Sequence, residues 1–163
     1  MFTVYFHHAT TTPSQPGLGQ LVEAALADNK AERTGLEAEI RLADGALFYL
    51  FGEDDDGLML AEYPSLTSSV SDLLLAILRR TNGFLLDTPD ALTFVRTVNS
   101  VGEPRGPLTF EIEIIEVESS EALSALLSSH ANNENATTSP RSEPRRARQR
   151  GSSLMDVLFG KPG

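Results

Sequence analysis

Two spacings of apolar side chains run through the first 130 residues, and each spacing predicts a type of element. Apolar and polar residues alternate from Phe2 to His7, which is typical of a half-buried strand. Apolar residues recur at helical spacing from Leu18 to Leu26 and from Val70 to Leu78, which predicts two amphipathic helices. Further strands are predicted at 36–42, 46–51, 58–63, 84–86, 91–98 and 108–114, and a last helix is predicted around Leu123, Leu126 and Leu127.

Turn and cap signals separate these elements. Asp44-Gly45 lies between two apolar runs and predicts a two-residue hairpin turn in which both residues have positive φ. Ser69 and Asp72 have the spacing of a capping box at the start of the second helix, and Asn82-Gly83 predicts a left-handed end to it. The adjacent apolar pair Ile114-Ile115 breaks the alternation and indicates a β-bulge.

The predicted order of elements is β-α-β-β-β-α-β-β-β-α, which defines an α+β fold. We expect a two-layer sandwich in which the helices cover one face of a mostly antiparallel sheet. In this order of elements the chain resembles the small acidic chaperones of type III secretion, and the resemblance is one of topology.

Composition divides the chain into three parts. The formal net charge of the 163 residues is −10, and the acidic residues are concentrated in residues 1–130, which we interpret as one acidic α+β domain. Residues 131–153 contain several arginines and no Val, Ile, Leu, Met or aromatic residue. Such a segment cannot bury enough apolar surface to fold, so it is predicted to be a disordered basic linker.

The third part, residues 154–163, has the pattern of a short amphipathic helix. The side chains of Leu154, Met155, Leu158 and Phe159 share one helical stripe, and Gly160 can end the helix. Two turns are unstable alone, so we expect this motif to fold when its apolar side enters a groove. The groove can belong to a second protein or to the chain itself.

The inventory of reactive residues does not favour an enzyme. There is no cysteine, and no phosphate-binding loop, nucleophile elbow or zinc motif occurs. The acidic run at 53–57 lacks carboxylates at the first and last positions of a calcium loop, and His7 and His8 would point to opposite sides of a strand. We therefore assign no catalytic, metal-binding or cofactor-binding residue and expect no cofactor.

Location follows from two further patterns. No apolar run approaches the roughly 20 residues that span a bilayer, so no membrane span is expected. The N-terminus has no basic region before its apolar residues, which is unlike a secretory signal and favours the cytoplasm.

Four glutamates on two predicted strands are the candidate binding residues. Glu37 and Glu39 alternate with apolar residues on one strand, and Glu111 and Glu113 do so on another. If helices cover the apolar side, these carboxylates share the opposite face and attract a basic protein. The same charges would discourage aggregation through strand edges, which is the alternative explanation. Residues 1–130 should repel nucleic acid.

We therefore expect a non-enzymatic protein-binding module whose acidic surface docks a basic protein, of the bacterial toxin-immunity or secretion-chaperone type. An adaptor that recruits a second protein through the C-terminal motif is the alternative, and a small enzyme of unknown class is the third. The sequence is also compatible with a homodimer.

Overall fold

The structure is a computed structural model of the 163-residue chain. It describes residues 1–7, 16–53, 58–86, 93–102 and 111–138, with side chains as far as residue 131. Chain contacts divide it into two compact units, Met1–Ala125 and Leu126–Gly163.

The described residues form an α+β fold with one eight-stranded sheet and three helices. The helices are α1 (Leu18–Asp28), α2 (Ser68–Thr81) and α3 (Ser120–Thr138). The strands are β1 (Phe2–His7), β2 (Glu32–Arg33), β3 (Glu39–Arg41), β4 (Leu47–Phe51), β5 (Leu58–Tyr63), β6 (Phe84–Leu86), β7 (Thr93–Thr97) and β8 (Glu113–Val117). The predicted fold class is confirmed at this level, whereas the placement of all helices on one face stays a prediction.

The strands lie in the order β2-β3-β4-β5-β1-β6-β7-β8. Every neighbouring pair is antiparallel except β7 and β8, which run parallel. The N-terminal strand therefore lies in the interior of the sheet, between β5 and β6. Its position joins the meander of β2 to β5 to the three later strands.

One side of the sheet, here called the inner face, carries the core. Val4 and Phe6 of β1 are almost fully buried, and their cross-strand neighbours Ala61 and Met59 are buried with them. α1 and α2 pack against each other and contribute further buried side chains. The buried side chains of α1 are Val22, Ala25 and Leu26, and the apolar ones of α2 are Val70, Leu73, Leu74, Leu75, Ile77 and Leu78. The predicted apolar stripes of both helices are confirmed.

The strand predicted at 36–42 is shorter in the structure. β3 covers Glu39–Arg41, while Leu36 lies in the preceding turn with 66% of its surface exposed. Ala38 has a φ of +65°, which ends the extended backbone. The turn allows Glu32–Arg33 to pair with β3 as an additional edge strand.

The strand predicted at 108–114 also differs. β8 covers Glu113–Val117, and residues 103–110 lie outside the described part of the chain. The register from Thr93–Glu113 to Thr97–Val117 is continuous, so the bulge predicted at Ile114-Ile115 is wrong. The adjacent isoleucines instead lie on opposite sides of a regular edge strand.

The hairpin between β3 and β4 occurs where Asp44-Gly45 predicts it, but its loop is longer. The Gly45 N–H donates to the Leu42 carbonyl over 2.9 Å, so Ala43 and Asp44 are the central residues of the turn. Only Gly45 adopts positive φ, at +87°. This is the geometry of a three-residue loop in which glycine takes the left-handed position.

α2 begins two residues earlier than the capping box predicts. The N-cap is Thr67, whose hydroxyl group accepts a hydrogen bond of 3.3 Å from the Val70 N–H, and not Ser69. The predicted end is confirmed, because Asn82 caps the helix at a φ of +50°.

α3 continues to Thr138, so residues 131–138 of the predicted linker are helical. The remainder of that linker and the motif at 154–163 lie outside the described residues.

Candidate functional site

The side of the sheet opposite the core, here called the outer face, carries two rows of side chains. Cross-strand register places Glu39, Tyr49, Glu62 and Thr3 side by side on β3, β4, β5 and β1. A second row lies two residues along each strand, since side chains alternate between faces. Its members are Phe51, Leu60, Tyr5 and Leu86. The outer face thus places a polar row beside an apolar one.

The apolar row is accessible at one end and buried at the other. Phe51 on β4 has 42% of its surface exposed, and Leu60 and Tyr5 are half-buried. Leu86 on β6 is buried in a cluster with Phe84 and Phe94, against which Tyr5 and Ile112 pack. The part of the outer face that a partner can reach is therefore centred on β4 and β5.

Aromatic side chains pack together on the outer face at β6 and β7, where the apolar row is buried. The rings of Phe84 and Phe94 are 5.5 Å apart, and the imidazole of His7 is 5.5 Å from Phe94 and 6.5 Å from Phe84. Tilted aromatic pairs at these distances are favourable beyond the area that they bury. His7 is thus part of an aromatic cluster on the outer face.

The polar row is acidic. The Tyr49 hydroxyl group donates to Oε2 of Glu39 over 3.4 Å, and Glu62 lies on the other side of Tyr49. Neither glutamate forms an ion pair with a basic side chain in the described part of the chain. Arg41 and Glu32 face each other at the β2 edge of the same face. These four charged side chains leave a surplus of negative charge around Tyr49.

The guanidinium groups of four described arginines contact groups other than Glu39 and Glu62. Arg33 pairs with Glu23 and Glu53, Arg80 with Asp28, and Arg96 with Glu116. Arg79 donates to the carbonyl of Glu118 over 2.8 Å. The positive charges of Arg33, Arg80 and Arg96 are therefore matched locally and do little to offset the carboxylates of Glu39 and Glu62.

The four candidate glutamates do not share one face. Glu39 lies on the outer face, and Glu37 lies in the turn before β3. Glu113 is on β8, where its parallel register with Thr93 directs it to the inner side, and Glu111 precedes that strand. Five strands lie between β3 and β8, so six inter-strand spacings of about 4.8 Å place the two strands roughly 29 Å apart. The expected single row of carboxylates is wrong because the two strands lie towards opposite edges of the sheet.

Sequence reasoning missed Glu62 and Tyr49. Glu62 is the one charged residue in the otherwise apolar strand β5, and this was the available signal for an outer-face position. The tail residues Leu154, Met155, Leu158 and Phe159 lie outside the described part of the chain.

The cavities formed by described residues include two on the first unit. One, of about 480 Å³, lies between α1, α2 and the start of α3, and Asp28, Asp72, Arg79, Arg80 and Glu121 are among its lining residues. The other, of about 340 Å³, lies at the end of β4 and shares Phe51 with the outer face. Both cavities are lined by carboxylates and by arginines that already form an ion pair or a hydrogen bond.

The described residues contain neither a cluster of metal-binding side chains nor a membrane-spanning helix. They include no cluster of three or more His, Asp or Glu side chains that could hold a metal ion. The helices within those ranges also lack the length and apolar character needed to cross a bilayer.

Comparisons with known proteins give no relative. No protein-family model matches the chain, and no curated protein and no solved structure is significantly similar to it. Any function must therefore be argued from the geometry of the outer face.

Proposed function

We propose that the protein is a non-enzymatic binding module that docks a basic protein partner on the outer face, across β3, β4 and β5. The observation that carries this proposal is the pair of adjacent rows on that face. Glu39, Tyr49 and Glu62 form the acidic row, and Phe51 and Leu60 form the accessible part of the apolar row. An exposed aromatic and apolar strip bordered by charge is typical of a protein interface.

The two rows have different roles in binding. Burial of Phe51 and Tyr49 supplies affinity, because aromatic side chains at the centre of an interface lose the most water-exposed area. The carboxylates of Glu39 and Glu62 attract a positively charged partner from a distance and orient its approach. A basic protein with an apolar contact strip fits both rows.

Such a module suits a protein that holds or neutralises another protein, as toxin-immunity proteins and secretion chaperones do. An adaptor role, in which the motif at 154–163 recruits a second protein, remains the alternative. A cytoplasmic location also remains a prediction from the sequence.

The test compares charge removal at two places on the same sheet. Glu39→Gln combined with Glu62→Gln removes two charges from the outer face, and the matched control, Glu111→Gln with Glu113→Gln, removes two near β8. Full-length protein, each double variant and a Phe51→Ala variant are used to capture partners from the lysate of the source cells. The association rate of the captured partner is then measured over a range of salt concentrations.

We expect one basic partner that associates about tenfold more slowly with the Glu39/Glu62 variant at low salt and at the unchanged rate with the control. Phe51→Ala should mainly accelerate dissociation, because it removes buried contact area. Equal effects of the two double variants, or a partner that binds the Phe51→Ala protein normally, would contradict docking on the outer face.

A further inference from the structure

The cavity at the end of β4 adjoins the outer face through a shared side chain. Its volume is about 340 Å³, and Arg33, Glu37, Phe51 and Glu53 are among the residues that line it. Phe51 also belongs to the apolar row, where it neighbours Leu60. A protein docked on the outer face at Phe51 therefore lies next to the cavity.

The charge inside the cavity is negative. The guanidinium group of Arg33 is 2.7 Å from Oε1 of Glu23 and also pairs with Glu53. The carboxylates of Glu23 and Glu53 thus share the single positive charge of Arg33. Glu37, in the turn between β2 and β3, is exposed and forms no ion pair within the described ranges. Its carboxylate is available to a ligand.

The apolar part of the cavity is equally accessible. The 42% exposure of Phe51 leaves a large part of its ring open to a ligand. Ala38 and Leu50 add apolar groups to the lining of the cavity. A ligand that matches both features needs a positive end and an apolar or planar body.

We propose that this cavity receives an arginine side chain of the basic partner, an inference that rests on the proposed function of the outer face. A guanidinium group can donate two parallel hydrogen bonds to the Glu37 carboxylate and lie against the Phe51 ring. Its methylene stem can lie along the apolar part of the lining. Lysine, a compact point charge, gains less from a planar carboxylate and an aromatic ring.

The test uses isotope-labelled full-length protein and single amino-acid probes. N-acetyl-arginine methylamide is titrated at millimolar concentration while backbone amide shifts are recorded, and the lysine and norleucine methylamides are the comparison probes. We expect the arginine probe to shift amides around Glu37, Phe51 and Gly52, with the lysine probe binding a few times more weakly and the norleucine probe weaker still.

Two variants then locate the contact. Glu37→Gln should weaken arginine binding about fivefold, and Glu113→Gln should leave it unchanged, because Glu113 lies on the far side of the sheet. The amide spectrum of Glu37→Gln shows directly that the variant is folded.

The outcomes separate this inference from the proposed function. If the arginine and norleucine probes bind alike, or if Glu37→Gln binds the arginine probe as well as the unaltered protein does, the cavity does not select arginine. The outer face could still dock a basic partner in that case, since its own test depends on Glu39 and Glu62. Selective arginine binding together with no partner on the outer face would overturn the proposed function instead.

Discussion

The carboxylate of Asp44, in the hairpin between β3 and β4, accepts a hydrogen bond from the hydroxyl group of Ser69 in the first turn of α2. Asp44 also accepts a hydrogen bond of 2.9 Å from the Ala46 N–H. The Ser69 hydroxyl, followed by this backbone group, lowers the pKa of the Asp44 carboxyl. A hairpin and a helix that are far apart in sequence are thus joined by one exposed polar contact.

Replacement of Ser69 should be visible in the titration of Asp44. Ser69→Ala removes the larger cause of the low pKa, so the pKa of Asp44 should rise towards that of an ordinary aspartate. Because the folded pKa is depressed, the contact contributes stability above the unfolded pKa and loses it as the pH falls through the folded value. Carboxyl-detected NMR measures this pKa, with the exposed neighbour variant Ser68→Ala as the control. An unchanged Asp44 pKa in Ser69→Ala would show that the hydroxyl contact has no effect in solution.

Thr67 is predicted to be the residue that stabilises the N-terminus of α2. Thr67→Ala removes the hydroxyl that accepts from the Val70 N–H, which should cost about 1 kcal/mol and lower Tm by a few degrees. Thr67→Ser keeps the acceptor and should stay close to the unaltered protein. Thermal unfolding compares the two, and equal Tm values would exclude Thr67 as the effective cap.

The capping residue shows what the sequence pattern can and cannot predict. Both Thr67 and Ser69 are good N-cap residues, and Ser69 has the better spacing to an acid at Asp72. The choice between them depends on the hairpin, since Asp44 engages the Ser69 hydroxyl. Contacts between distant segments of the chain are not encoded in local spacing.

The same limit applies to the outer face. Alternation correctly predicted that Val4 and Phe6 of β1 are buried, because one face of the strand must meet the core. It also led to the incorrect grouping of Glu39 with Glu113. Strand order and the parallel pairing of β7 with β8 decide whether two glutamates on different strands lie near each other on one face. Neither feature follows from the period of a single strand.

Gly52 should be the least replaceable of three described glycines. Its φ is +79°, and a Cβ atom there would lie 3.1 Å from the carbonyl oxygen of Leu58. Gly45 has a φ of +87° with open space around it, and Gly17 has neither constraint. We expect Gly45→Ala to cost about 1 kcal/mol from backbone strain alone, and Gly52→Ala to cost more because its Cβ also makes a tight contact with the Leu58 carbonyl oxygen. Denaturant unfolding measures the order, and a Gly17→Ala variant as destabilised as Gly52→Ala would refute the explanation.

Tyr63 is the buried titratable residue at the end of β5. Its side chain is 2% exposed, and its ring is stacked 5.7 Å from Phe2 and 6.3 Å from Phe48. Burial disfavours the phenolate and raises the pKa of Tyr63 to about 12. The folded protein therefore holds this proton more tightly than the unfolded chain does.

This difference predicts a loss of stability at high pH. The protonated phenol contributes fully below the unfolded pKa near 10, and the contribution disappears as the pH rises through the folded value, a loss of about 2–3 kcal/mol. Tyr63→Phe keeps the stacked ring and removes the ionisable group, so its stability should fall less between pH 10 and pH 12. Urea unfolding across that range measures the difference, and Tyr49→Phe, which removes a half-buried phenol from the outer face, controls for the loss of one tyrosine. Identical pH profiles for Tyr63→Phe and the unaltered protein would mean that ionisation of Tyr63 does not oppose folding.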